Sequence, residues 1–494
     1  MPRFTSSLLG LTLAYMSLHA QASSSAASPK APGTLSNASG ESVQWSGIGR
    51  LSMIPGKQCI ATLIDSRGAQ PSAAGPAYVL TSGHCVDKRN GVIIHDAPAQ
   101  GSVAFNYFID TAQQRKSFGI TRRVWSSMQG TDLALLELDS SLDDVMAQGI
   151  VPLRLAPSPE PGSEVQVIGE PSVADEGLRV STCTEQLAEV VVQQPWVWRK
   201  ARRNDCHGIA EGSSGSPVVT PDDHRIVSVL NSIGATPQGV EPCKPDNPCH
   251  WSDAASVVDR PLNYAMPVHR LMGCFRDGRA DLSLQGCDLL PGFQWRPREQ
   301  MRHIAKIITD TQGQAVAPTW DLAFDIDTPR YRHKTVDDPL ECEEPDGYSG
   351  TVIAQENYID SIIGTEPGWR FLCLIGVQDP DQKPSPALMA NSLSLAVEVL
   401  AAAPVPEPDM AVARQDNGDI RVAWALDPPN LVHYKVKKGA VASTDCDDPS
   451  GFRLLRHQAY TFKAAQLPLK LCTRGEDIIG QHSIVRTDLL TATD

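Results

Sequence analysis

Twelve cysteines constrain this chain more than any other feature, because they fall into near neighbours along it: Cys59/Cys85, Cys183/Cys206, Cys243/Cys249, Cys274/Cys287, Cys342/Cys373 and Cys446/Cys472. If each neighbouring pair were oxidised, every bridge would close a local loop inside one candidate domain, which suits a string of separately folding units. The sequence by itself leaves the connectivity open. Zinc ligation is the competing use of such residues. No Cys-x-x-Cys pair or His-x-x-x-His partner stands beside them, so the expectation is a disulfide framework and no metal. Disulfides need an oxidising compartment. Residues 1–22 read as the export signal that would provide one, with Arg3 in the leader, an apolar stretch from Leu8 to Met16, and small residues at Ala20 and Ala22. That stretch is too short to cross ~30 Å of hydrocarbon, and no later segment supplies ~20 consecutive apolar residues. The chain is therefore read as secreted or periplasmic after signal cleavage, with no membrane span.

At ~150 residues per domain, 494 residues correspond to about three domains. The formal net charge of −14 argues against nucleic acid or an anionic membrane as partner, since both require clustered cations. The densest basic run, Arg199-Lys200-Ala201-Arg202-Arg203, is read as a solvated loop. Residues 23–42, rich in Ser, Ala and Pro, are read as a linker or short pro-segment. From Trp45 onward, short β-branched and apolar runs alternate with Gly, Pro, Asp and Asn: Gln58 to Ile64, Ala77 to Thr81, Leu133 to Leu138, Val165 to Ile168, Leu187 to Val192 and Ile226 to Leu230. Runs of this length with few helical periods predict an all-β chain of barrels or sandwiches.

Past Cys274 the texture repeats. Cys342-Glu343-Glu344-Pro345-Asp346-Gly347-Tyr348 is matched by Cys446-Asp447-Asp448-Pro449-Ser450-Gly451-Phe452, and Leu372-Cys373-Leu374 by Leu471-Cys472-Thr473. Each unit has an upstream Tyr in an extended run, Tyr331 to Val336 and Tyr434 to Val436, and the proline-rich stretch from Ala403 to Pro408 lies between them. Two small β-sandwich modules follow, 290–403 and 404–494, each with one disulfide across its core. Such modules serve as spacers or as docking units for protein or carbohydrate. Trp369 would offer a sugar platform, although a packing role is the plainer expectation.

Three local contexts carry chemistry. In Tyr78-Val79-Leu80-Thr81-Ser82-Gly83-His84-Cys85, an apolar strand delivers a histidine, and the cysteine beside it can bridge back to Cys59. In Gly130-Thr131-Asp132-Leu133-Ala134-Leu135-Leu136, an aspartate precedes an apolar run, where an unpaired carboxylate is costly and an imidazolium would relieve it. In Gly212-Ser213-Ser214-Gly215-Ser216-Pro217, two glycines allow the tight turn a nucleophile needs to present Oγ outward while amides converge on an oxyanion. Taken separately, the same contexts would serve as a surface histidine, a turn aspartate and a flexible loop.

In this order the contexts resemble the chymotrypsin/trypsin-like serine protease family, particularly its bacterial, glutamyl-endopeptidase-like branch, over roughly residues 43–276. The resemblance implies a two-barrel domain at 43–289 that hydrolyses peptide bonds of protein or peptide substrates without a cofactor. It implies His84 as general base and acid, Asp132 as its orienting carboxylate, Ser214 as nucleophile, and the Gly212 and Ser214 amides as oxyanion hole. Gly208, Ile209, Ser228 and Leu230 would border the primary pocket, with Ser228 also bonded to the triad aspartate. There are departures. The position six before the nucleophile is Gly208 rather than an acid, which speaks against Arg/Lys preference, and Val227 stands where glutamate-specific members carry a histidine. Ser213 replaces the acid that a new N-terminus would pair with. An α/β-hydrolase esterase is disfavoured because Ser216 stands where that family needs a glycine and because the order runs His, Asp, Ser. The remaining alternative is a catalytically silent, protease-like binding or adhesion protein.

Overall fold

The apolar runs become strands, and alternate residues of each run face two different interiors. The structure, a computed structural model, describes residues 32–68, 75–169, 177–234, 242–245, 247–252, 255–257 and 262–491. The expected signal and the first part of the linker lie outside the described residues. Strand β1 (Gly33–Thr34) is followed by β2 (Ile48–Ser52), β3 (Cys59–Ile64), β4 (Pro76–Thr81), β5 (Ile93–Pro98), β6 (Ser102–Phe105), β7 (Lys116–Ser127) and β8 (Leu133–Ser141). The order β7-β6-β2-β3-β4-β8 closes on itself through β7–β8 pairing, giving a six-stranded barrel with β5 on its rim. Every residue of β3 is buried. Ala61, Leu63, Val79 and Leu136 fill the barrel, whereas Ile60, Leu80, Leu133 and Leu135 face the second barrel across a shared core with Val191, Trp198 and Met266. Burial on both faces is why these strands read as continuous apolar runs.

The second barrel contains β9 (Glu164–Gly169), β10 (Arg179–Gln193), β11 (Trp196–Asn204), β12 (Pro217–Val219) and β13 (Ile226–Ile233); the hairpin β14 (Cys249–Ser252) and β15 (Ala255–Val257) extends it, and β16 (Asn263–Pro267) completes it. The order β11-β16-β13-β12-β9-β10 closes through β10–β11 pairing. Two expectations change here. The stretch read as a linker ends inside the fold, since Gly33 and Thr34 pair with Val180 and Arg179 of β10. The basic run is a strand, not a solvated loop: Arg199 and Arg202 are buried, because the flanking Trp196, Val197 and Trp198 have the bulk and branching of strand formers.

Beyond Pro267, two sheet pairs follow, here called modules 1 and 2. In module 1 a five-stranded sheet is built around Gly368–Val377, Arg330–Val336 and Leu393–Leu400. A three-stranded sheet of Trp295–Pro297, Leu322–Ile326 and Tyr358–Ile359 packs on it over Phe324, Leu372, Leu374 and Leu395. Module 2 repeats the plan with Met410–Arg414, Ile420–Trp424 and Ala459–Phe462 against His433–Gly439, Leu469–Glu476 and His482–Leu490, over Val422, Trp424 and Leu471.

The twelve cysteines are joined in chain order. One reading of them needs correction. The module disulfides do not cross the sandwich cores: strand alternation puts Cys373 on the opposite face from Leu372 and Leu374, where it packs with Cys342, Phe371 and the β10–β11 residues Val190, Val192 and Val197. Half-buried Trp369 packs against this same cluster. Cys206, bridged to Cys183, is also a core residue of the second barrel. It is buried among Val165, Val167 and Val218, while Cys183 is half-buried at the edge of that cluster. The Cys206 Sγ lies 3.4 Å from the Ser181 carbonyl oxygen. That approach is packing and not a hydrogen bond, because a bridged sulfur carries no proton. The Cys206 carbonyl accepts Asn263 Nδ2–H at 2.8 Å, which fastens the segment after β11 to β16.

Candidate active site

Strand β4 ends at Thr81, Ser82 continues extended, and a 3-10 turn over Gly83–Cys85 swings the chain aside. Gly83 is required there, since a Cβ would lie 2.3 Å from the Ser127 carbonyl oxygen. The Cys59–Cys85 bridge ties the turn to the head of β3. His84 thus projects from a doubly anchored turn. From the far side, β7 ends at Ser127 and the turn 128–131 leads to Asp132, which has no exposed surface. Its Oδ2 lies 2.7 Å from His84 Nδ1 and its Oδ1 accepts the His84 backbone N–H at 2.8 Å. Two bonds to one carboxylate fix both the ring and its chain position, and they offset the desolvation of the buried charge. With Nδ1 donating to Asp132, Nε2 is the ring atom left to exchange a proton.

Ser214 sits in the turn before β12, between Gly212 (φ 97°) and Gly215 (φ 88°). The turn is pressed against the first barrel: the Ile60 N–H donates to the Ser214 carbonyl at 2.8 Å, and a Cβ on Gly215 would meet the Ile60 carbonyl oxygen at 2.0 Å and Thr81 Oγ1 at 2.4 Å. The Leu230 carbonyl receives both the Gly215 N–H (2.8 Å) and Ser82 Oγ–H (2.8 Å), which links the serine turn to the residue two before His84. Among the described residues, the Gly212 and Ser214 amides have no hydrogen-bond partner in the protein. The structure therefore brings His84 and Asp132 into contact and seats the Ser214 turn on strands β3 and β4, which flank them.

The expected pocket residues fare differently. Gly208 faces the N-terminal arm, where a Cβ would lie 2.2 Å from Pro32 Cγ. Ile209 packs beside the second barrel's interior, and Leu230 lies within it among Val165, Val218, Ala265 and Cys206. Leu230 is therefore a core side chain instead of a pocket border, because strand alternation turns it inward. Ser228 does not bond Asp132. Its Oγ donates to Glu185 Oε1 at 2.9 Å, and Glu185 pairs with Arg202 at 3.1 Å. Burial pushes the Glu185 carboxyl above its ordinary value against the opposing pull of Arg202. Sequence reasoning did not single out this buried trio, since its members lie on three strands, β10, β11 and β13. It also passed over Lys57, whose Nζ donates to the His84 carbonyl at 3.0 Å. Burial, and then Lys88 nearby, push that ammonium down to about 8. Cys59, His84 and Cys85 cluster as metal ligands would, but both sulfurs are committed to the disulfide.

Residues 60–229 match the family profile of the trypsin-like peptidase domain. No curated protein sequence matches the chain. Among solved structures it is similar to a thermostable serine protease, AL20, from an extremophilic microorganism (15% identity, 46% of this chain, 92% of that one, TM-score 0.30). It is also similar to the protease Anisep from Arthrobacter nicotinovorans (15%, 46%, 91%, 0.30) and to kallikrein-related peptidase 10 (19%, 47%, 93%, 0.30). The profile runs from β3 into β13 and takes in all three motifs, so residues 60–229 carry a trypsin-like peptidase domain.

Proposed function

We propose that the protein is an exported serine endopeptidase that cleaves protein or peptide substrates through His84, Asp132 and Ser214. The observation that carries this reading is the contact of Asp132, fully buried, with both Nδ1 and the main chain of His84 at 2.7 and 2.8 Å. Such a carboxylate holds the imidazole in the tautomer whose Nε2 accepts a proton, and stabilises the imidazolium once it forms.

In the proposed reaction Ser214 Oγ attacks the substrate carbonyl carbon while His84 Nε2 takes the hydroxyl proton. The Gly212 and Ser214 amides donate to the developing oxyanion. Collapse of the tetrahedral species passes the proton from His84 to the leaving amine and leaves an acyl ester on Ser214. Water, giving its proton to His84 Nε2, then attacks the ester carbonyl, and His84 returns that proton to Ser214 Oγ as the ester bond breaks and the acid product leaves. Gly208, six positions before Ser214, offers no acidic side chain, which speaks against Arg or Lys at the scissile bond. Six disulfides fit an oxidising destination, and no helix among the described residues is long and apolar enough to cross a membrane.

A fluorophosphonate should label the wild type at Ser214, and Ser214→Ala should abolish both labelling and casein hydrolysis. Asp132→Asn should lower turnover by ~10⁴ through the wrong tautomer. A folded wild-type protein that neither labels nor hydrolyses casein would instead be a silent binding protein.

A further inference from the structure

The turn that delivers Asp132 is held from behind by module 1. Residues 128–131 contain Gly130 at φ 68° and lie between two strands. Gln129 in this turn is fully buried, and its Nε2 donates to the backbone carbonyl of Asn391 in module 1. The Gly130 carbonyl accepts the Arg199 N–H at 3.0 Å, and a Cβ on Gly130 would lie 2.6 Å from the Arg199 guanidinium.

Arg199 in turn points every donor of its buried side chain at module 1. Its Nη2 reaches the carbonyls of Ala390 (3.2 Å) and Ser392 (3.0 Å), Nη1 reaches Ser394 Oγ, and Nε reaches Glu343 Oε1 at 3.0 Å. Asn391 closes the arrangement, its Nδ2 donating to the carbonyls of Leu289 (3.1 Å) and Pro291 (3.0 Å) and its Oδ1 accepting from Arg270 at 2.6 Å. Within the turn itself the described restraints on Gln129 are both made with Ser127 Oγ: the Gln129 N–H lies 2.9 Å from it and the Gln129 carbonyl oxygen 3.4 Å.

We propose that module 1 is a working part of the peptidase: through Gln129, Arg199 and Asn391 it sets the position of the Asp132 turn, making Gln129 and Arg199 positioning residues for the reaction. The inference rests on the triad reading above. Its physical basis is leverage, since Asp132 is one link from the imidazole and a displacement of ~1 Å at a reacting group costs ~10² in rate.

The test uses the full chain carrying Gln129→Leu or Arg199→Met, with Lys200→Met as control. Lys200 reaches Glu343 at 2.5 Å from a mostly exposed position, and it shares no hydrogen bond with 128–131. Turnover is measured per Ser214 titrated with fluorophosphonate, so that a merely unfolded fraction lowers the number of sites and not the rate per site. Gln129→Leu and Arg199→Met should each lower kcat by ~10 to 100-fold with KM unchanged, and Lys200→Met should stay within about twofold of wild type. Gln129→Leu is the sharper variant, because Gln129 Oε1 is buried without a partner and leucine removes that cost while deleting the tether. Titrated variants with wild-type kcat would overturn the inference and leave the triad standing. Absence of labelling and turnover in the wild type would remove the triad reading first.

Discussion

Modules 1 and 2 share one internal device and differ in what lies over it. In module 1, Lys334 pairs across the strand with Cys373, and its ammonium sits on the carbonyls of Glu344 (2.9 Å) and Asp346 (2.7 Å) and over the Tyr348 ring. In module 2, Lys437 pairs with Cys472, and its ammonium sits on the carbonyls of Asp445 (2.8 Å) and Asp448 (2.6 Å) and over the Phe452 ring. The cysteine loop is thus pinned in the same way twice. Yet in module 1 that face is buried under β10 and β11, with Phe371 and Ile375 beside Cys373. In module 2 the matching positions are Lys470 and Arg474, and Asp447, the counterpart of Glu343, is exposed. Module 2 touches its neighbour elsewhere, through the buried Lys306–Asp477 pair at 2.8 Å. Two similar folds therefore differ on their outer face: one is covered by β10 and β11, and the other carries the half-buried Lys470 and Arg474.

The sharpest probe of this difference is the matched pair Phe371→Ala and Lys470→Ala. Emptying the covered position should cost ~3–5 kcal/mol by urea denaturation, whereas truncation on the wet face should cost less than about 1 kcal/mol. Equal losses would break the comparison. The disulfides come next. They span 31 residues in module 1 and 26 in module 2, so loop entropy alone assigns both ~3–4 kcal/mol. Replacing Cys342 and Cys373 by serine should lower the stability of the unit and its peptide hydrolysis together, because it loosens the docked face. The same change at Cys446 and Cys472 should leave kcat untouched, and a fall in kcat there would mean that module 2 also acts on the site.

The smallest effect concerns charge at the docked face. Burial acts to raise the Glu343 carboxyl, but Arg199 and Lys200 hold it below its ordinary value of 4.5. A lowered carboxylate contributes stability that is present above its unfolded value and is lost as pH falls through the folded one. Docking should therefore weaken as pH drops below about 4.5, and Glu343→Gln should cost ~1–3 kcal/mol at neutral pH while flattening that acid limb. Asp447→Asn should change stability by no more than ~0.5 kcal/mol. An unchanged acid limb in Glu343→Gln would remove Glu343 from the account.

Much of this division is legible in the strands. Phe371-Leu372-Cys373-Leu374-Ile375 is apolar at every position, which marks burial on both faces, while Leu469-Lys470-Leu471-Cys472-Thr473-Arg474 alternates and marks one wet face. The motifs around His84, Asp132 and Ser214 were legible because strand ends, turn glycines and a neighbouring cysteine are local signals. Ser228 and Leu230 were misread because their partners are set by which way strand β13 presents its faces, and Arg199 because a short basic run resembles a surface loop until its strand neighbours are known. Cys206 joins a local signal to a distant one. Its bridge partner is a near neighbour in the chain, but the valines it packs on belong to β9 and β12.

The sequence by itself determined the all-β character, the repeated cysteine loops and the local contexts of His84, Asp132 and Ser214, since each depends on periodicity or on neighbours within a few positions. Tertiary structure alone decided that the turn before Asp132 leans, through Gln129, on Asn391, 262 positions further along, and that Ser228 serves Glu185. Such contacts join segments whose own local preferences are satisfied either way, so only the closing of barrels and the docking of sheets selects among them.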